Sequence, residues 1–151
     1  GLSKARRAEG KALGKVLDAT LDEIETLTAE AAANAATQGP AIKARLEAQI
    51  AELLGERNAI APERLAHEAA LLAVKADVRE ELDRLRAHIG QARELFAKGG
   101  ACGRKLDFLS QEFNREANTL CSKSSDIALT RIGLALKTAI DRLREQAANV
   151  E

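Results

Sequence analysis

The sequence predicts an all-α protein of about five helices, arranged as long antiparallel helical hairpins plus a C-terminal helical bundle. Alanine, leucine, glutamate, lysine and arginine dominate its 151 residues, a composition typical of long helices and coiled coils. Apolar residues recur at intervals of three and four along almost the whole chain, which is the period of one helix face. No segment shows the alternation that indicates a strand, so every element is expected to be helical.

The first half of the chain predicts three helices. The first covers about 3–36 and ends at the breaker TQGP, residues 37–40. The second follows this breaker and ends near Gly55, while Pro62 suits the first turn of the third. The third is predicted as one long helix over 62–97, because apolar residues alternate steps of four and three as in a coiled-coil seam. This seam comprises Val78, Leu82, Leu85, Ile89, Ala92 and Phe96.

Two further helices are predicted in the second half, after the breaker KGGACG. One covers about 103–121, and the other covers about 125–149. The serines and aspartate of SKSSD, between them, are residues that cap helix N-termini. We therefore predict a single helical domain over 1–151, with a long hairpin region at 1–97 and a C-terminal helix pair at 98–151.

Charge and hydropathy exclude several classes of protein. The number of lysines plus arginines equals the number of aspartates plus glutamates, 23 each, so the net charge is zero. Overall charge therefore argues against a protein that binds polyanions by bulk electrostatic attraction. No apolar run approaches the roughly 18 residues of a membrane span, and the N-terminus lacks a secretory apolar region. We expect a cytoplasmic protein with no membrane partner and two free thiols, Cys102 and Cys121. The N-terminal sequence also suggests a fragment of a longer protein.

The predicted fourth helix carries an unusual polar stripe opposite its leucines. Its residues include arginines, amides and an outward-facing phenylalanine: Arg104, Phe108, Gln111, Arg115 and Asn118. Such side chains bind phosphates and contact bases in RNA. They are equally suited to a specific helix–helix interface, and the residues alone do not decide between these interpretations.

A second polar stripe follows one flank of the predicted third helix. Asp77, Glu81, Arg84, His88 and Gln91 succeed each other at steps of four and three. Two carboxylates and a histidine can hold a divalent cation, and a histidine near a carboxylate can act as a general acid–base. The alternative is a ladder of surface ion pairs without chemistry, which spacing alone favours.

Three segments resemble the YicC family of bacterial proteins. They are DVREELDRLRAHI at 77–89, GRKLDFLSQEFNREANTLCSKS at 103–124 and LKTAIDRLREQAANVE at 136–151. The resemblance covers the C-terminal half of the family in the right order, and the N-terminal half is missing from this chain. It implies an endoribonuclease that acts on RNA, is helped by a divalent metal such as Mn²⁺ or Mg²⁺, and forms a homo-oligomer, a ring-like or clamp-like hexamer.

The resemblance favours functional roles for both stripes, and the chemistry of the matching residues suggests which. Expected catalytic residues are His88, Glu81 and Arg84. Expected metal ligands are Asp77, Glu81, His88 and Glu112. Expected RNA-binding residues are Arg104, Phe108, Gln111, Arg115, Asn118 and Lys123. The alternative function is a non-catalytic helical module for oligomerisation or RNA binding that acts through a partner nuclease.

Overall fold

The computed structural model describes residues 2–54, 61–98 and 103–149, with side chains from residue 14 onward. These ranges contain six helices and no strand, which confirms the all-α prediction. The helices are α1 (Leu2–Ala36), α2 (Gln38–Leu54), α3 (Pro62–Lys75), α4 (Arg79–Lys98), α5 (Gly103–Lys123) and α6 (Ile127–Ala148). Cys121 is a free thiol, as predicted, whereas Cys102 lies outside the described residues.

Four of the helices form a bundle in which α1 packs against α4 and α6, and α5 packs against the same two. Its core is aliphatic apart from one aromatic ring, that of the fully buried Phe113. The predicted seam lies in this core from Val78, which immediately precedes α4, to Ala92, and Phe96 is partly buried against it. Helices α2 and α3 pack chiefly against each other, so they form a hairpin outside the bundle.

The sequence predicts one helix over 62–97, but the structure has two. Helix α3 ends at Lys75, and α4 begins at Arg79. The carboxylate of Asp77 accepts a hydrogen bond from the backbone N–H of Arg79 at 3.0 Å, as a capping side chain does at the start of a helix. The prediction of one continuous helix was therefore wrong, and this break accounts for the additional helix.

The hairpin joins the bundle through a cluster of polar side chains at the start of α6. Asp126 is the N-cap of α6 and accepts a hydrogen bond from the N–H of Leu129 at 2.7 Å. Its other oxygen accepts one from the amide of Gln38, at 2.7 Å. Gln38 is buried at the start of α2, and Arg45 of the same helix donates to the carbonyl of Ser125. Hydrogen bonds therefore tie the hairpin to the bundle here.

No described helix combines the length and the apolar character that crossing a membrane requires. Of the two breakers predicted at the ends of α2, the structure describes only the first. The first is a turn of one residue, Thr37, because α2 already begins at Gln38 and includes Gly39 and Pro40. Proline lacks only a backbone donor that the first turn of a helix leaves unpaired, so this position tolerates it. The predicted end of α2 at Gly55 lies outside the described residues.

Candidate metal centre and nucleic-acid interface

The two polar stripes predicted from the sequence meet along the contact between α4 and α5. The helices run antiparallel, so the start of α4 lies beside the end of α5. Three cross-helix contacts mark this arrangement in order along α4: Glu81 with Lys123, Arg84 with Glu116, and His88 with Phe113. Residues from separate parts of the sequence therefore form one continuous polar surface.

A cluster of metal-ligating side chains lies at the middle of this surface. One ligand atom each from His88, Glu112 and Glu116 lies within 4.8 Å of the others. The two glutamates are four residues apart, so they lie on one face of α5, and His88 reaches them from α4. His88 and Glu112 are half-buried, whereas Glu116 is only 3% exposed. We call these three residues the histidine–glutamate cluster.

The environment of His88 indicates that its ring nitrogens are available to a ligand. Both nitrogens are buried, and neither has a hydrogen-bond partner among the described residues. The ring packs edge-on against Phe113, with centroids 5.6 Å apart. A buried polar group without a partner costs about 1–3 kcal/mol, so a bound ligand would relieve a real penalty. An imidazole and two carboxylates form a donor set that fits a divalent transition metal such as Mn²⁺.

Arg84 lies beside the cluster and divides its contacts between two carboxylates. Its guanidinium is 2.5 Å from the exposed Glu80 and 3.9 Å from the buried Glu116. The Arg84 side chain is itself half exposed. It therefore places positive charge at the edge of the cluster while remaining open to solvent.

Glu81 and Lys123 form a separate ion pair at the end of the polar surface. The Lys123 ammonium is 2.7 Å from Glu81 and also donates to the carbonyl of Asp77, at 3.3 Å. The hydrogen bond to Glu81 raises the pKa of Lys123. Glu81 is buried, and its second carboxylate oxygen has no partner in the described part of the chain. Its first oxygen is thus committed to Lys123.

Asp77 pairs with a neighbour at the α3–α4 break. Arg79 donates to both of its carboxylate oxygens, with a shortest distance of 2.6 Å. These hydrogen bonds lower the pKa of Asp77 to about 2. Of the four predicted metal ligands, the structure thus brings His88 and Glu112 together, and it puts Asp77 and Glu81 in ion pairs outside the histidine–glutamate cluster.

The predicted RNA-binding residues occupy the outer face of α5. All but one are exposed: Arg104, Phe108, Gln111, Arg115 and Asn118. Lys123 is the exception, because it is half-buried in its ion pair with Glu81. Phe108 is 63% exposed, as its position opposite the leucines predicts. It borders a groove of about 410 Å³ between α4 and α5, which Arg104 and Lys105 also line.

Glu116 is the cluster member that the sequence interpretation did not assign to the metal. Glu112 and Glu116 stand one helical turn apart, and this spacing was a visible signal for a shared ligand. The spacing does not indicate which helix packs beside α5. Only the antiparallel pairing of α4 with α5 brings His88 to these two glutamates.

Comparison with known proteins identifies sequences similar to this chain. A sequence model described as "Endoribonuclease YicC-like, C-terminal" matches residues 29–151. A protein of Clostridioides difficile (strain 630), named "Probable endoribonuclease YicC", is 37% identical over 150 residues, which cover 99% of this chain and 51% of the relative. A Haemophilus influenzae protein of the same name is 38% identical over 147 residues, covering 97% and 50%. The chain thus spans about half the length of these relatives.

Proposed function

We propose that this chain, which belongs to the family of C-terminal domains of YicC-like endoribonucleases, carries the metal site and part of the RNA-binding surface of an endoribonuclease. The histidine–glutamate cluster carries the proposal. It combines a metal-type donor set with a histidine whose nitrogens have no partner among the described residues. The substrate class is single-stranded or stem-loop RNA.

His88, Glu112 and Glu116 hold the metal in this proposal, and Asp77 and Glu81 do not. A divalent ion such as Mn²⁺ or Mg²⁺, when bound, supplies positive charge to a phosphate group under attack. Of these two ions, Mn²⁺ is the better fit, because one of the three donors is an imidazole nitrogen and Mg²⁺ takes oxygen ligands. Glu81 has a different role, since its ion pair fixes the end of α5 through Lys123.

Arg84 stabilises negative charge on the reacting phosphate in this mechanism. Its guanidinium stands at the edge of the cluster, where it balances Glu116 from 3.9 Å. A guanidinium donates paired hydrogen bonds to phosphate oxygens, and such donors stabilise the charge that develops at phosphorus. Arg84 is half exposed, so a substrate can reach it.

The outer face of α5 extends the site along the RNA. Phe108 lies one helical turn from Glu112, about 6 Å along the axis, and offers its exposed ring to a base. Arg104 and Arg115 provide positive charge for phosphates, while Gln111 and Asn118 provide amides for bases or ribose. Because bases are unstacked in loops and single strands, such a face suits these RNAs better than a duplex.

A second candidate function is a non-catalytic module that oligomerises and delivers RNA to a partner nuclease. The exposed apolar residues favour it, since Phe108 and the hairpin residues Leu53 and Val74 are 63–83% exposed. Such surfaces commonly pack against other subunits. A homo-oligomer, a hexamer by family resemblance, would cover them.

The test is cleavage of a labelled stem-loop RNA in Mn²⁺, Mg²⁺ or EDTA. We expect His88→Ala and Glu116→Gln to reduce metal-dependent cleavage about 100-fold or more and to weaken Mn²⁺ binding measured by calorimetry. Glu145→Gln, an exposed change on α6, is the matched control and should leave both unchanged. Helicity and sedimentation confirm that each variant is folded.

The outcomes separate the two functions. Cleavage in EDTA, or Mn²⁺ binding that survives both cluster substitutions, contradicts the metal site. RNA that is bound but never cut favours the non-catalytic module. Arg84→Gln should reduce cleavage and leave metal binding unchanged. Arg86→Gln should change neither cleavage nor metal binding, because Arg86 pairs only with the exposed Asp83 among the described residues.

A further inference from the structure

A second concave surface lies at the junction of the hairpin with the bundle. It is a groove of about 380 Å³ where α2 and α3 meet the end of α5. Three cationic side chains line it from three different helices: Arg45 of α2, Lys75 of α3 and Lys123 of α5. The Ser122 side chain adds a hydroxyl group, whereas the Ser125 hydroxyl already donates to Gln38, and no carboxylate belongs to the lining. We call this surface the junction groove.

Two carboxylates close to the junction groove already have partners, and one of these partners is the groove residue Lys123. Glu81 pairs with Lys123, at 2.7 Å. Asp126 caps α6 and accepts the amide of Gln38. Neither Arg45 nor Lys75 forms an ion pair with any residue in the described ranges, and the hydrogen bond of Arg45 goes to the uncharged carbonyl of Ser125. Since Glu81 balances Lys123, Arg45 and Lys75 supply the unpaired positive charge of the groove, in a chain whose net charge is zero.

We propose that the junction groove binds a phosphate group of the RNA backbone, at a distance from the bond that is cut. The lining favours this ligand because its ammonium, guanidinium and hydroxyl groups all donate hydrogen bonds to anionic oxygens. Leu46 and Leu72 form an apolar wall on which a ribose or base can pack. The assignment to RNA rests on the proposed function.

The junction groove lies at one end of the polar surface that contains the histidine–glutamate cluster. Lys123 belongs to the groove and is seven residues from Glu116 on α5, about 10 Å along the helix axis. A strand of a few nucleotides can therefore reach both. Because Arg45 and Lys75 belong to α2 and α3, RNA bound in both places contacts the hairpin as well as the bundle.

The test measures the salt dependence of RNA affinity in EDTA, where no metal contributes. A short fluorescent single-stranded RNA is titrated at KCl concentrations from about 50 to 200 mM. Each phosphate contact with single-stranded RNA adds about 0.7 to the slope of log affinity against log salt. We expect Lys75→Gln and Arg45→Gln each to reduce the slope by about 0.7 and to weaken binding about fivefold at low salt, as for an exposed ion pair.

Two further variants make the test specific. Lys43→Gln removes an exposed charge from α2 two residues before Arg45, outside the groove lining, and should leave the slope unchanged. Arg45→Lys keeps the charge but changes the contact with Ser125, so it should retain the wild-type slope. If it loses the slope as Arg45→Gln does, the cause is a displaced hairpin and the proposal is overturned.

Inorganic phosphate distinguishes an RNA phosphate from a free anion. Stabilisation by inorganic phosphate that requires Lys75, with RNA affinity independent of Lys75, would overturn the assignment to RNA. Slopes equal to wild type in Lys75→Gln and Arg45→Gln would overturn the proposal while leaving metal-dependent cleavage untouched. Conversely, if Lys75→Gln and Arg45→Gln reduce the slope but the chain cuts no RNA, phosphate binding in the junction groove is supported and only the catalytic function is contradicted.

Discussion

The bundle and the hairpin of this protein are built in opposite ways. In the bundle, large side chains such as Phe113, Leu21 and Ile24 are fully buried. In the hairpin, the only buried apolar residues described are Ile42 and Ala69, whereas Leu53 is 83% exposed. Apolar contacts hold the bundle together, and a few hydrogen bonds connect the hairpin to it.

This difference predicts how stability is distributed. Burial of apolar side chains supplies most of the free energy of folding, so the bundle should unfold as one cooperative unit. A segment with few buried contacts opens at a lower free energy than the core. Among the described helices, α2 and α3 are therefore the ones whose position a bound partner would change most easily.

Phe113→Ala should have the largest effect on the bundle. The side chain is fully buried, and its removal leaves a cavity between α4 and α5. We expect the free energy of unfolding to fall by about 3–5 kcal/mol. Urea denaturation followed by circular dichroism measures it. A loss below about 1 kcal/mol would show that the bundle is more loosely packed than its burial indicates.

Gly133→Ala should have the next largest effect, because α5 side chains lie close to the Gly133 backbone of α6. A Cβ atom at Gly133 would lie 2.4 Å from the Cys121 sulfur and 3.3 Å from Leu120. Overpacking of this kind costs about 1–3 kcal/mol. Gly90→Ala is the control, since a Cβ there meets nothing within 4 Å, and it should instead stabilise the protein by about 0.5–1 kcal/mol.

Asp126→Ala should loosen the hairpin and cost about 1 kcal/mol, because it removes the N-cap of α6 and the acceptor for Gln38. Hydrogen exchange should accelerate in α2 and α3 more than in the bundle. Asp126→Asn should retain most of the global stability, since asparagine also caps helices. Equal exchange in hairpin and bundle after Asp126→Ala would contradict this link between them.

Acid should act on the same contact in the wild-type protein. The hydrogen bond from the Leu129 N–H, followed by that from Gln38, lowers the pKa of Asp126 below its ordinary value of 3.8. The carboxylate therefore stabilises the fold above about pH 3.8, and this contribution is lost as the pH falls through the lowered folded-state pKa. Asp126→Asn should remove this part of the pH dependence, which urea titrations at several pH values would measure.

Leu53→Ser should have the smallest effect on stability. Because Leu53 is 83% exposed, the free energy of unfolding should change by no more than about 0.5 kcal/mol. Sedimentation of the same variant tests whether the exposed apolar residues of the hairpin contact another subunit. If the apolar hairpin tip packs against another subunit, the assembly should weaken while the monomer keeps its stability.

The sequence predicted the bundle well because one physical signal dominates it. Apolar spacing identified the seam from Val78 to Ala92, and all its members are buried. It also put Phe108 on the outer face of α5, where the structure has it. Such predictions need only the period of a helix and the tendency of apolar groups to avoid water.

The break between α3 and α4 and the histidine–glutamate cluster needed information of other kinds. Asp77 and Glu80 have the spacing of a capping box, a local signal for a new helix that the continuous apolar seam obscured. The cluster depends on which helix lies beside α5, and the periodicity of apolar residues within one helix does not identify its neighbour. Asp77 and Glu81 share a stripe with His88, yet their own ion pairs hold them outside the cluster.

The one-residue turn at Thr37 gives the hairpin the geometry of a lever. Helix α2 has 17 residues, so it extends about 25 Å from its anchor at Gln38. A rotation of about 10° at that anchor would move the Leu53 end by about 4 Å, which is nearly the pitch of a helical turn. Displacements too small to break the hydrogen bonds around Asp126 would thus be amplified at the tip. A phosphate bound in the junction groove would therefore influence the position of the Leu53 end of α2.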